Sequence, residues 1–318
     1  MNKLSASALT FTFLLSMSAQ AQITVENCDS TLTLDTSPKT LITHDINMSE
    51  MAFSLGLEEN MIGVTGISGY YKTTPEFNRL QGNIPELAPK YPSLEVLVNA
   101  NPDVFFAGWN YGMRLGGSVT PDSLKEFGIN TLILNESCSH IRKDKQPASM
   151  EQMFDDVTRL ATLFGHQDRA QTLISTWKEQ LVQIQQQTKN QTPLKVFLYD
   201  SGEDKPFTAG KYATVSAMIK AAGGDNVMKD LDISWGTTSW ESVAMHNPDV
   251  IILLDYQNGT GAKGMQAFLE QHPAMKLTTA VKTTQYLPLR YEEITPGPAN
   301  IAAIEKLAQR IQEIHDKS

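Results

Sequence analysis

Compact runs rich in apolar residues alternate with helical patterns over most of the chain. Residues 40–44, 61–67, 103–107 and 131–134 predict short buried strands. Residues 48–55, 93–99 and 121–127 between them predict short helices, the first and last stopped by Gly56 and Gly128. Strands separated by helices predict a parallel sheet with helices on its faces. The middle is different. From Ser149 to about Gln187 there is no strand pattern. Met150, Met153, Phe154, Val157, Leu160 and Leu163, then Ala170, Leu173, Ile174, Trp177, Leu181 and Ile184, keep a helical stripe. This predicts one long helix, kinked near Gly165. The alternation then resumes, with strands at 195–199, 250–254 and 283–287 and helices at 214–222, 265–270 and 298–314.

One stretch occurs twice. Residues 93–104 read SLEVLVNANPDV and residues 239–250 read SWESVAMHNPDV, identical at six of twelve positions without a gap. Each copy predicts a short helix, an Asn-Pro-Asp turn and a buried strand. The chain is therefore expected to be an α/β protein of two similar lobes joined by one long α-helix. The expected boundaries are a leader at 1–21, an N-terminal lobe at 22–148, a linking helix at 149–190 and a C-terminal lobe at 191–318. Two lobes on one stiff connection make a cleft, where ligands favour binding.

The first 21 residues set the expected compartment. Lys3, the apolar run 8–17 and Ala19-Gln20-Ala21 form a secretory signal with its cleavage box. The protein is expected to be exported, soluble and, in a two-membrane cell, periplasmic. Export makes Cys28 and Cys138, the two cysteines of the chain, a candidate disulfide. The net charge of −9 argues against a nucleic-acid partner. The composition, 41% apolar and 19% charged, excludes long disorder.

Enzyme motifs are missing: there is no G-x-S-x-G, Walker A or H-E-x-x-H. Gly259, Gly261 and Gly264 fit G-x-G-x-x-G, but Tyr256-Gln257-Asn258 separates them from the preceding strand and no ribose-binding acid follows. No catalytic residue, cofactor or resident metal is expected. His44 and His140 each follow a strand of the first lobe and are placed to converge at the cleft, yet two ligands are too few for a zinc site. Aromatic and arginine residues cluster where strands end, which is where open α/β sheets bind ligands. They are Tyr70, Tyr71, Trp109, Tyr111, Arg114, Tyr212, Trp235, Tyr256, Arg290 and Tyr291. Rings offer flat apolar contact and arginine offers charge-assisted bonds to anionic oxygens. A bulky, partly anionic and partly apolar chelate suits this set.

The repeat, the leader and the segments 38–45 (PKTLITHD), 49–57 (SEMAFSLGL), 91–95 (YPSLE), 136–138 (ESC) and 291–298 (YEEITPGP) resemble one family. It is that of the periplasmic substrate-binding proteins of ferric-siderophore and cobalamin ABC importers, of the helical-linker type. The resemblance implies capture of an iron chelate, a ferric siderophore, and its delivery by a monomer to the importer's permease. Cobalamin, haem or a metal ion remain alternatives within that fold, and an exported α/β enzyme outside it. Haem would take Tyr70, Tyr71 or His140 as axial ligand. The resemblance further implies that Glu95 and Glu241, matched in the two repeat copies, dock onto basic residues of the permease.

Overall fold

The two repeat copies fold alike, and their residues show why. In this computed structural model, which describes residues 22–70, 72–256 and 261–317, they form the helices Leu94–Ala100 and Trp240–His246. Ser93 caps the first by accepting a hydrogen bond from Val96 N, and Ser239 caps the second from Ser242 N. Each helix ends on an asparagine in the left-handed region, Asn101 and Asn247. Asparagine tolerates that conformation better than most residues. The turn aspartate then ties down the neighbouring strand. Asp103 accepts from Lys39 N and Thr40 N at 2.7 and 3.0 Å, and Asp249 accepts from Lys195 N at 2.8 Å. The strands Val104–Trp109 and Val250–Leu254 follow, and each lies inside a parallel sheet.

The first sheet runs, in spatial order, Glu86–Ala88, Met61–Thr65, Leu41–His44, Val104–Trp109 and Asn130–Ile133, all parallel. The second runs Gly224–Asn226, Leu194–Tyr199, Val250–Leu254 and Tyr286–Leu289, also all parallel. The last of these lies further along the chain than its apolar run suggests, because Thr279–Lys282 is a helical turn and Thr284 takes a left-handed backbone. Two antiparallel ribbons were not read from the pattern. Ile23–Asn27 pairs with Ser30–Leu34, and Phe207–Ala209 pairs with Trp235–Thr237. Cys28 in the first ribbon's turn is bonded to Cys138.

The connection between the sheets differs from the single kinked rod expected. Gly165 sits at φ 78° and ψ 25°, a left-handed cap that ends the helix Met150–Phe164. A second helix, Gln167–Thr188, starts just beyond. Phe154 stacks on Trp177 with ring centroids 6.2 Å apart, and Lys178 pairs with Glu151. Residues nearly equidistant from Gly165 thus meet, so the two helices form an antiparallel hairpin. The 22-residue second helix has a reach of about 33 Å and touches both lobes. Arg169 binds Ser54 O near its start, and Thr188 lies against Gly223 at its end.

The largest apolar core runs through both sheets and this hairpin, from Val64 and Phe106 through Leu160 and Trp177 to Leu198 and Ile252. No helix among the described residues is long and apolar enough to cross a membrane. The expected leader, Tyr71 and Gly259 lie outside the described residues.

Candidate functional site

A cavity of about 490 Å³ opens between the sheets, at the C-terminal ends of their strands. The first lobe contributes Asn110 and Tyr111, just past the strand Val104–Trp109, and His140. The second contributes Asp200 and Ser201 after Leu194–Tyr199, Tyr256 after Val250–Leu254, and Tyr291 and Thr295 after Tyr286–Leu289. Its antiparallel ribbon adds Phe207 and Trp235, whose rings stack 6.3 Å apart.

Four of the ten expected ligand contacts therefore meet here: Tyr111, Trp235, Tyr256 and Tyr291. Trp109 does not. Side chains alternate along a strand, so Trp109 shares its face with Phe105 and Ala107 and packs around the disulfide. Arg114 is exposed, with its guanidinium 4.7 Å from the Tyr91 ring centre. Tyr70 lies beside the same ring. Arg290 is held by Glu292, and Tyr212 donates to Asp232. None of these five lines the cavity. His44 is also misplaced by the sequence reading. It is fully buried beside Gly66 and Gly112, where an added Cβ would lie 2.3 and 2.6 Å from its ring. Burial holds it at about 3, far below the ordinary histidine value, so it stays neutral.

Hydrogen bonds anchor the tyrosines through buried acids that the aromatic pattern did not single out. Glu136 accepts from Tyr111 Oη at 2.8 Å, from Trp235 Nε1 at 3.0 Å and from Thr214 N at 2.5 Å. It thus joins the first lobe to the second. Asp45 accepts from Tyr291 Oη at 2.8 Å and from Lys72 Nζ at 2.7 Å. Lys72 also lies 3.6 Å from the centre of the Tyr291 ring. Tyr256 donates to Asp200 at 3.3 Å. Burial, with the neighbouring carboxylates, pushes Tyr111, Tyr256 and Tyr291 far above the ordinary phenol value. All three are therefore hydroxyl donors at neutral pH. The missed acids had a signal: Asp45 and Asp200 each directly follow a strand, as the expected aromatics do. Among the described residues, no group of three or more His, Cys, Asp or Glu side chains is placed to hold a metal ion.

Known proteins share this architecture. Residues 43–289 match the profile of the periplasmic binding protein family. The chain is 23% identical over 281 residues to the vitamin B12-binding protein of Photorhabdus laumondii, covering 87% of this chain and 89% of that one. A periplasmic binding protein from Veillonella parvula superimposes with a TM-score of 0.81 at 26% identity, covering 92% of this chain and 99% of that one. The structure described as an ABC-type Fe3+-hydroxamate transport system from Saccharomonospora viridis gives a TM-score of 0.76 at 20% identity, covering 91% and 98%. That likeness is one of fold. With a family match that spans most of its length, the chain is a binding protein rather than an enzyme, and it belongs to the periplasmic binding protein family.

Proposed function

We propose that this chain is the exported solute receptor of an ABC importer and captures a bulky metal chelate between its lobes. The observation that carries the reading is the cavity wall, where Tyr111, Phe207, Trp235, Tyr256 and Tyr291 converge from both lobes. Rings with polar tips suit a ligand that is apolar in outline and polar at points. The volume of about 490 Å³ fits the ~300–1,000 Å³ of ordinary organic ligand sites and far exceeds what a bare ion needs. A ferric siderophore fits this description. A corrinoid is the second reading, supported by the vitamin B12-binding protein being among the relatives. Trp235 lines the cavity and reports on it. Titrating the tryptophan fluorescence with ferric siderophores, cobalamin and haem should give saturable quenching by at least one chelate. Quenching by free zinc or manganese alone would move the protein to metal-ion capture.

Delivery involves a second surface in this proposal. Glu95 and Glu241 are both exposed, each in the first turn of its repeat helix. That matched placement supports their role as permease-docking acids, one per lobe. Glu95→Ala with Glu241→Ala should leave chelate titrations unchanged while uptake into cells falls sharply. Normal uptake in the double variant would refute docking through these residues.

A further inference from the structure

The sequence suggested a partly anionic ligand, because arginines follow two strands. The cavity is built the other way. No arginine or lysine lines it among the described residues. The four residues at 257–260, Gln-Asn-Gly-Thr, hold no cation either. Its acidic wall residue is Asp200, 8% exposed, whose carboxyl is raised above the ordinary aspartate value by burial, against the opposing pull of Ser201, Tyr256 and Lys72. Ser201 Oγ donates to one Asp200 oxygen at 2.6 Å and Tyr256 Oη to the other at 3.3 Å. A carboxylate accepts about four hydrogen bonds, so two protein donors leave it capacity for a ligand.

The nearby cations stand off the wall: Lys72 acts on Asp200 and Lys145 on His140 only through space, and neither lines the cavity. Lys72 is paired with Asp45 at 2.7 Å and covered by the Tyr291 ring. Arg290 is bound to Glu292. Arg114 is exposed, over Tyr91. His140, on the opposite wall, is held below the ordinary histidine value by burial and stays neutral. An anion entering this site would meet an acid and no cation on the wall, with repulsion wherever Asp200 is ionised. A donor or a cation would meet a ready acceptor.

We infer that the cleft sorts chelates by charge, taking neutral or cationic complexes that present N–H or O–H donors, with Asp200 as the specificity-determining residue. The inference rests on the chelate-binding reading and narrows it. Complexes of the ferric hydroxamate or corrinoid kind belong to the accepted class. Polyanionic complexes such as ferric tris-catecholates belong to the excluded one.

The experiment is fluorescence titration of the full mature chain near neutral pH with three probes: a cationic ferric trihydroxamate, neutral cyanocobalamin and a trianionic ferric tris-catecholate. The cationic or the neutral probe should bind about a hundredfold tighter than the trianion. Asp200→Asn, which preserves shape, should narrow the gap between cation and trianion by about tenfold. Circular dichroism and a melting curve check the fold, and Asp200→Ser is the second variant if the first does not fold. A trianion that binds as tightly as the other probes overturns the inference while leaving the chelate reading intact. An unchanged gap in a folded Asp200 variant removes Asp200 from its role. If none of the three probes binds, the charge sorting fails, and a haem titration that also shows no quenching takes the chelate reading with it.

Discussion

Two carboxyl groups of the first lobe press against the second across one seam, in opposite circumstances. Glu136 meets donors: a backbone N–H at Thr214, the indole of Trp235 and the hydroxyl of Tyr111. Glu50, on the helix Ile46–Leu55, meets like charge in Glu292 and Glu293, offset in part by Arg290. Burial and those glutamates raise it to about 8. The contrast shows that buried acid at a lobe boundary is not one kind of interaction. Donors on the far side turn a carboxylate into a clasp, whereas carboxylates there turn it into a strain that a proton relieves.

The sharpest way to break this comparison is Glu136→Ala. It strips four donors, Ser234 Oγ at 3.4 Å included, of their acceptor at a buried site, and urea unfolding should lose about 2–4 kcal/mol. A loss no larger than that of an exposed acid would show that the clasp carries nothing. Glu50→Gln should act with the opposite sign. The folded protein keeps the Glu50 proton in a range where the unfolded chain has lost it. Stability should therefore fall as pH rises from 4.5 to about 8 and level off above. The glutamine variant removes that decline and should gain on the order of 2 kcal/mol near pH 8, with little gain near pH 4.5. Unfolding curves at both ends of that range test the sign, and a destabilised variant near pH 8 would refute it. The smallest effect belongs to Tyr111→Phe, which deletes one of the four donors to Glu136. It should cost about 1 kcal/mol, and a cost equal to that of Glu136→Ala would mean the other three bonds are idle.

The scaffold was legible in the sequence where the chemistry is local. Ser93 and Ser239 cap, Asn101 and Asn247 take left-handed turns, and Asp103 and Asp249 bind amides of the strand beside their own turns. A copied segment therefore announces a copied fold. The cavity was legible only in part. Position after a strand identified Tyr111, Tyr256 and Tyr291, but it carries no direction for a long side chain. Arg290 turns to Glu292, and Arg114 to Tyr91. Trp109 differs for another reason: it is the last residue of its strand, and the alternation set by Phe105 and Ala107 assigns it to the disulfide face. Glu136 could not be found from pattern, because its partners Thr214 and Trp235 stand 78 and 99 residues away. Gly165 in a helical stripe predicts a kink rather than a cap, since the sequence does not reveal its backbone angles.

The hairpin at Gly165 has a bearing on how the molecule holds together. A protein of two lobes on a plain tether would have two separate cores, each free to melt on its own. Here the helix Met150–Phe164 doubles back beside Gln167–Thr188, and their shared apolar face belongs to a core that reaches both sheets. Loosening either lobe exposes side chains that support the other. The linker thus couples the two lobes into one cooperative unit.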